Sequence, residues 1–285
     1  MNNYSPFKKE KDKYGTNRRT AVIFAAGVVI VLVLSCFIIM AKNDFNFKAA
    51  VGGEVETTAG EETPDETLPA RSTKYYLLWC AREDTENLDF LWIVKAKFPS
   101  AALTVFSPSP DDMVEYKGQL YTVRNLYSIF TLKEFKQALE EYYGVKFSAY
   151  IGCFPEGFKQ AVNDFGGITV NIKEQINYKG EFNLLLAKGS TPLKGELLYK
   201  YLLYTGLKSE TRATDHCEAL AKLLEAVFVP ENRSKTDSVF SMVANTMTTD
   251  ITIMTYLENK ALFDYLFENG LKSIKTAQTK EELKG

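Results

Sequence analysis

The sequence predicts an α/β domain carried behind one membrane-spanning helix, and three observations predict it. A 21-residue run without charge lies early in the chain. After a linker come short apolar segments of strand length, rich in aromatic and branched residues. These then alternate with amphipathic patterns bounded by helix start and stop residues, the order expected of helices packed on a sheet.

The apolar run is Ala21 to Ala41. At about 1.5 Å per residue, a helix of that length crosses a hydrocarbon core of about 30 Å. A cleaved export signal is the competing reading, but its apolar region would span only about 7–15 residues and end at small side chains. Here Phe37, Ile38, Ile39 and Met40 fill the end of the run, which favours an uncleaved anchor. Residues 1–20 carry Lys8, Lys9, Lys11, Lys13, Arg18 and Arg19 against Glu10 and Asp12, with only Lys42 and Lys48 close after the run. A Lys/Arg excess stays on the cytoplasmic side, so the tail is expected inside and the domain outside. Residues 42–73 are acidic, rich in Thr and Gly, and nearly free of large apolar side chains, which marks an extended linker. The domain is expected over 74–270, followed by a polar C-terminal tail over 271–285.

Within the domain, Tyr75–Cys80, Leu88–Val94 and Ala101–Phe106 read as buried strands. Thr131-Leu132-Lys133-Glu134 is a capping box, in which Thr and Glu each satisfy a free backbone N–H. Phe135, Leu139 and Tyr142 then share a helix face, and Gly144 stops the helix. Phe147–Phe154 reads as a strand, Pro155 opens a helix that carries Phe158, Ala161, Val162 and Phe165, and Gly166-Gly167 closes it before the strand Ile168–Ile172. Beyond Leu193 the pattern is mostly helical, with helices expected at Gly195–Tyr204, Thr211–Val229, Thr236–Met247 and Thr252–Glu268.

Several chemistries are disfavoured. The net charge is -2 and the basic excess is confined to the tail, so no nucleic-acid partner is expected. No dinucleotide or P-loop glycine pattern occurs. His216 is the only histidine and abuts Cys217; adjacent helical residues diverge, so neither a zinc site nor a triad is favoured. Cys36 falls in the apolar run, and Cys80 and Cys153 each end a strand; buried thiols are the expectation, a disulfide between them the alternative. Tyr199, Tyr201 and Tyr204 fit a core helix, with carbohydrate stacking as the alternative.

From Lys74 to about Phe267 the chain resembles the LytR-CpsA-Psr family of bacterial envelope proteins. Tyr143-Gly144-Val145 through Tyr150 and Phe158 through Val170 follow the family's helix ending in "GV", strand, and helix closing in "GGV-x-V". Lys188 to Glu196 and Thr249-Asp250-Ile251-Thr252 resemble two further family segments. The resemblance implies a central mixed β-sheet with helices packed on both sides. It also implies transfer of a glycopolymer from undecaprenyl pyrophosphate to a cell-wall acceptor. Arginines would hold the pyrophosphate, and aspartates would assist through Mg²⁺ or acid–base work. A hydrophobic cavity would house the lipid, its mouth near the strands that end at Cys80 and Phe106.

Set on the family pattern, this sequence departs at many of those positions. Ala81, Leu203, Thr205 and Asp215 stand where the resemblance places an aspartate and three arginines. Asp89 and Arg212 match, and Asp111 or Asp112 matches with one extra residue. The catalytic candidates are therefore Asp89, Arg212 and Asp111, with Asp89 as the metal candidate. Arg82 and Arg124 match no family arginine and are pyrophosphate candidates only if they reach the cleft; the alternative for Arg82 is a solvated loop. These losses favour a degenerate paralogue that binds a polyprenyl-phosphate lipid or a glycopolymer at the bacterial cell membrane. An active phosphotransferase and a structural tether are the alternatives.

Overall fold

The computed structural model describes residues 71–82 and 87–285. The expected tail, anchor and most of the linker lie outside the described residues. The described part belongs to one unit, Glu66–Gly285. Among the described residues no helix is long and apolar enough to cross a membrane.

The centre is a six-stranded mixed sheet. Its strands are β1 (Ser72–Arg82), β2 (Asn87–Phe98), β3 (Ala102–Phe106), β6 (Phe147–Cys153), β11 (Thr248–Thr249) and β12 (Ser273–Ala277). Their spatial order is β11-β6-β1-β2-β3-β12. The pairs β1/β6 and β3/β12 are parallel; β1/β2, β2/β3 and β6/β11 are antiparallel. Three two-stranded ribbons complete the strands: β4 (Met113–Tyr116) with β5 (Gln119–Thr122), β7 (Ile168–Ile172) with β10 (Gly189–Leu193), and β8 (Ile176–Lys179) with β9 (Asn183–Leu186).

Both faces of the sheet are covered, which explains why β2 reads as a continuous apolar run. On one face Cys80, Phe90, Trp92 and Val94 pack against helices α3 (Pro155–Asp164), α4 (Gly195–Gly206), α5 (Arg212–Val227) and α7 (Ile253–Asn269). On the other, Leu77, Trp79, Leu91 and Ile93 meet α1 (Val123–Ile129), α2 (Leu132–Tyr143) and the short α8 (Lys280–Lys284). Helix α6 (Thr236–Thr246) completes the set.

Local signals operate as read. Thr131 and Glu134 form the reciprocal capping box, and Gly144 closes α2 in the left-handed conformation at φ 63°. The motif glycines have steric reasons. Gly167 has φ +80°, and a Cβ there would lie 2.5 Å from Leu193 O. Gly195 lets α4 approach α3 closely, since its Cβ would lie 2.4 Å from Lys159 O, and its N–H donates to Asn163 Oδ1 at 3.0 Å. Asp250 accepts from Tyr150 N and from Lys136 Nζ, tying β11 to β6 and α2. The resemblance segments therefore mark packing contacts.

One boundary is corrected. Residues 271–285 are not a tail: β12 pairs with β3 as the sixth sheet strand, and Leu283 of α8 is fully buried. β12 is an edge strand whose side chains are mostly exposed, so its sequence is polar although its backbone is paired. The ribbons β4/β5 and β8/β9 and the helix α1 also lie where no element was expected.

Candidate functional site

Strands β1, β3, β6 and β12 end at one edge of the sheet, where β2 begins. The carboxyl ends of strands are the usual place for a ligand in α/β sheets. All five candidate residues line one cleft there, of about 230 Å³. Arg82 ends β1, Asp89 lies near the start of β2, Asp111 follows β3, Arg124 is on α1 and Arg212 opens α5. The site therefore gathers three stretches of the chain, around residues 82–89, 111–124 and 212.

Asp89 is placed by a β-bulge. Cys80 pairs with Phe90 and Ala81 with Leu88, so Asp89 is the extra residue. An extra residue re-aims side chains at the end of a strand. The Asp89 side chain is only 2% exposed. Its Oδ2 accepts from the Tyr199 hydroxyl at 2.7 Å, and its Oδ1 lies 3.0 Å from Arg82 Nε. That second contact is an ion pair in which the N–H is not aimed along the N···O line, leaving Nε without a well-formed hydrogen bond. Burial raises the carboxyl pKa and outweighs the lowering by Tyr199 and Arg82.

Arg212 is buried and already engaged. Its amino groups donate to Pro108 O and Ser107 O, both at 2.9 Å, with a longer contact to Ser107 Oγ at 3.4 Å. It clamps the turn after β3, the turn that carries Asp111. Arg124 donates to Asn87 Oδ1 at 2.9 Å and Leu88 O at 3.0 Å, and meets Asp111 Oδ1 at 3.4 Å. The Asp111 side chain is 75% exposed, so that ion pair contributes little.

The residues that resemblance singled out by their loss separate in space. Leu203 lines the cleft as an apolar wall. Thr205 is buried and donates to Tyr201 O and Leu202 O within its own helix. Asp215 lines a different cavity, beside Tyr201 and Tyr204, so its charge does not enter the cleft wall. His216 is buried, its Nε2 3.0 Å from Leu202 O, and burial holds its pKa near 3. The thiols of Cys80, Cys153 and Cys217 are free.

Three side chains of the cleft wall, Tyr178, Glu181 and Phe182, come from the β8/β9 ribbon, which the sequence reading missed. The alternation Ile176, Tyr178 and Leu184, Leu186 around Gly180 is the signal that marks it. With Glu181 the cleft holds three arginines against three carboxylates, a formal balance of zero.

Two expectations meet this geometry. An elongated apolar cavity was expected behind the cleft; that space is filled by Phe90, Trp92, Phe158, Leu198 and Leu202. Mg²⁺ at Asp89 was an expectation only for an active transferase; both Asp89 oxygens face Tyr199 and Arg82, and Asp111 faces Arg124. Among the described residues no group of three or more His, Cys, Asp or Glu side chains is placed to hold a metal. The donor set does not fit the ion in this arrangement.

Sheet, helices and cleft define an α/β domain with an arginine–carboxylate site at its strand ends. The family model of the LytR_cpsA_psr family matches residues 71–285, and the chain belongs to that family. No curated protein sequence matches. The fold is similar to that of B. subtilis TagV, with TM-score 0.60 and 18% identity over 72% of this chain and 84% of that one. Protein gbs0355 from Streptococcus agalactiae gives TM-score 0.61 and 20% identity over 73% and 77%. TagT bound to LI-WTA gives 0.55 and 16% over 79% and 87%.

Proposed function

We propose that this chain is a membrane-anchored, extracytoplasmic envelope protein that binds the phosphate of a polyprenyl-linked glycopolymer and transfers it poorly. One observation carries the reading: three arginines converge on one cleft, yet an equal number of carboxylates line it and Arg212 is spent on the backbone. Arg82 and Arg124 are the cations left to meet a ligand, because their own side chains are partly exposed. Two charge-assisted hydrogen bonds of roughly 1.5–3 kcal/mol each suffice for binding. They leave little surplus for stabilising charge in a transition state. The family and the similarity to TagT bound to LI-WTA support a glycopolymer ligand. The filled interior limits the proposal to the phosphate-bearing headgroup. The basic tail and the run Ala21–Ala41 support the anchor.

The test measures polyprenyl pyrophosphate binding and glycopolymer transfer on the same full-length preparation. Binding that weakens at least tenfold in Arg124→Ala, with negligible turnover, is the expected result. A second reading, an active phosphotransferase, is favoured by Arg82 and Arg124 reaching the cleft although neither matches a family arginine. Robust turnover that disappears in Arg124→Ala would establish that reading instead. Protease added to intact protoplasts should remove the domain and spare the tail; a protected domain would overturn the topology.

A further inference from the structure

We propose a second anion site, for a phosphate group, in the cavity at the opposite edge of the sheet. That cavity, about 800 Å³, is lined by Arg71, Lys95, Lys97 and Lys284 and, among the described residues, by no Asp or Glu side chain. It lies where β1 begins and β2 ends. The eleven residues of β1 separate it from the arginine cleft by roughly 33 Å, at about 3.3 Å per residue. It is therefore distinct from that cleft, and the inference does not rest on the cleft's function.

Lys95 is the unusual member. It sits in the apolar strand β2 and is 2% exposed. Its Nζ donates to Leu283 O at 2.9 Å and Lys284 O at 2.6 Å, where α8 presents unpaired carbonyls. An ammonium has three N–H donors, so these bonds leave one unassigned. Lys97 is two residues along and on the same strand face, its Nζ 3.1 Å from Gly285 O. The peptide carbonyls of Leu283 and Lys284 orient the Lys95 ammonium without cancelling its charge. Among the described residues, none of Arg71, Lys95 and Lys97 forms an ion pair with an Asp or Glu side chain. Like charges grouped in this way repel, and a multivalent anion relieves the repulsion.

The chemistry favours phosphate. Lysines bind phosphate as point charges. Ser72, Thr73 and Ser100 add hydroxyl groups to the same wall. The volume leaves room for the alcohol carried by a phosphate ester. Two sources share this chemistry, a soluble phosphate and an anionic lipid headgroup.

The test uses the full chain in nanodiscs. Inorganic pyrophosphate is titrated into phosphatidylcholine discs by calorimetry. Hydrogen exchange of residues 95–100 is then compared between phosphatidylcholine and phosphatidylglycerol discs. Arg71→Glu with Lys97→Glu changes only exposed side chains and should leave the tryptophan-monitored unfolding midpoint unchanged. Arg124→Ala serves as the control for the cleft. Pyrophosphate binding weakened at least tenfold in the double variant but kept in Arg124→Ala identifies a soluble phosphate ligand. Protection by phosphatidylglycerol alone, lost in the double variant, identifies the headgroup. Absence of both responses overturns the site, whatever Arg124→Ala does at the cleft.

Discussion

Replacing Arg212 by methionine separates two duties that the resemblance merges. The side chain makes two 2.9 Å bonds to the carbonyls of Ser107 and Pro108 in a buried setting. Hydrogen bonds to a charged group contribute roughly 1.5–3 kcal/mol each. The two together are therefore worth about 3–6 kcal/mol. Methionine keeps part of the packing and removes the cost of desolvating a guanidinium, which offsets some of that loss. Burial already pulls the Arg212 pKa down against the opposing charge of Asp112. A net loss of about 3 kcal/mol follows, and for a domain of this size each kcal/mol lowers Tm by about 2–4 °C, so the fall should be roughly 6–12 °C. The chain has two tryptophans, and Trp79 and Trp92 are both buried in the sheet, so fluorescence of the full chain in detergent reports this domain. A fall below about 2 °C together with lost phosphate binding would refute the scaffold duty and make Arg212 a ligand cation.

Three further outcomes are expected. His216 is buried neutral with its pKa held near 3, against an ordinary 6.5; its stabilising contribution is full above about pH 6.5 and is lost as pH falls towards 3. As the sole histidine it gives one ring signal in a proton NMR titration; an inflection near pH 6.5 in the folded protein would contradict the burial. Asp89 has the opposite sign: with its pKa raised, its contribution is present below the ordinary carboxylate range and lost as pH rises through the raised value. Asp89→Asn should remove that decline, so the urea midpoints of the two proteins must diverge between acid and neutral pH; a constant difference would count against it. Gly195→Ala should cost about 1–3 kcal/mol by forcing α4 from α3. Gly206→Ala, whose Cβ would meet nothing within 4 Å, should cost none, and equal urea midpoints for the two variants would defeat the argument.

The sequence by itself determined what depends on near neighbours in the chain. Caps, glycine stops and the periods 2 and 3.6 located β1, β2, β3, β6, β7 and the helices from α2 to α7, because those signals act within a few residues. The same local signals missed β8/β9, whose turn was not read, and β12, whose exposed edge side chains hide a paired backbone. The sequence named the candidate residues by chemical type, but their company was decided by the tertiary structure. Arg82, Arg124 and Arg212 share a cleft because the strand order β1-β2-β3 brings the ends of three distant segments to one edge. Asp89 is buried because the pairing of β1 with β2 needs a bulge there, and pairing register is not a property of either strand alone. Asp215 aligns with a family arginine yet faces another cavity, since the direction of a helical side chain depends on how its helix lies against the sheet. Arg212 holds the backbone because folding carried two carbonyls to its amino groups, a contact spanning about a hundred residues.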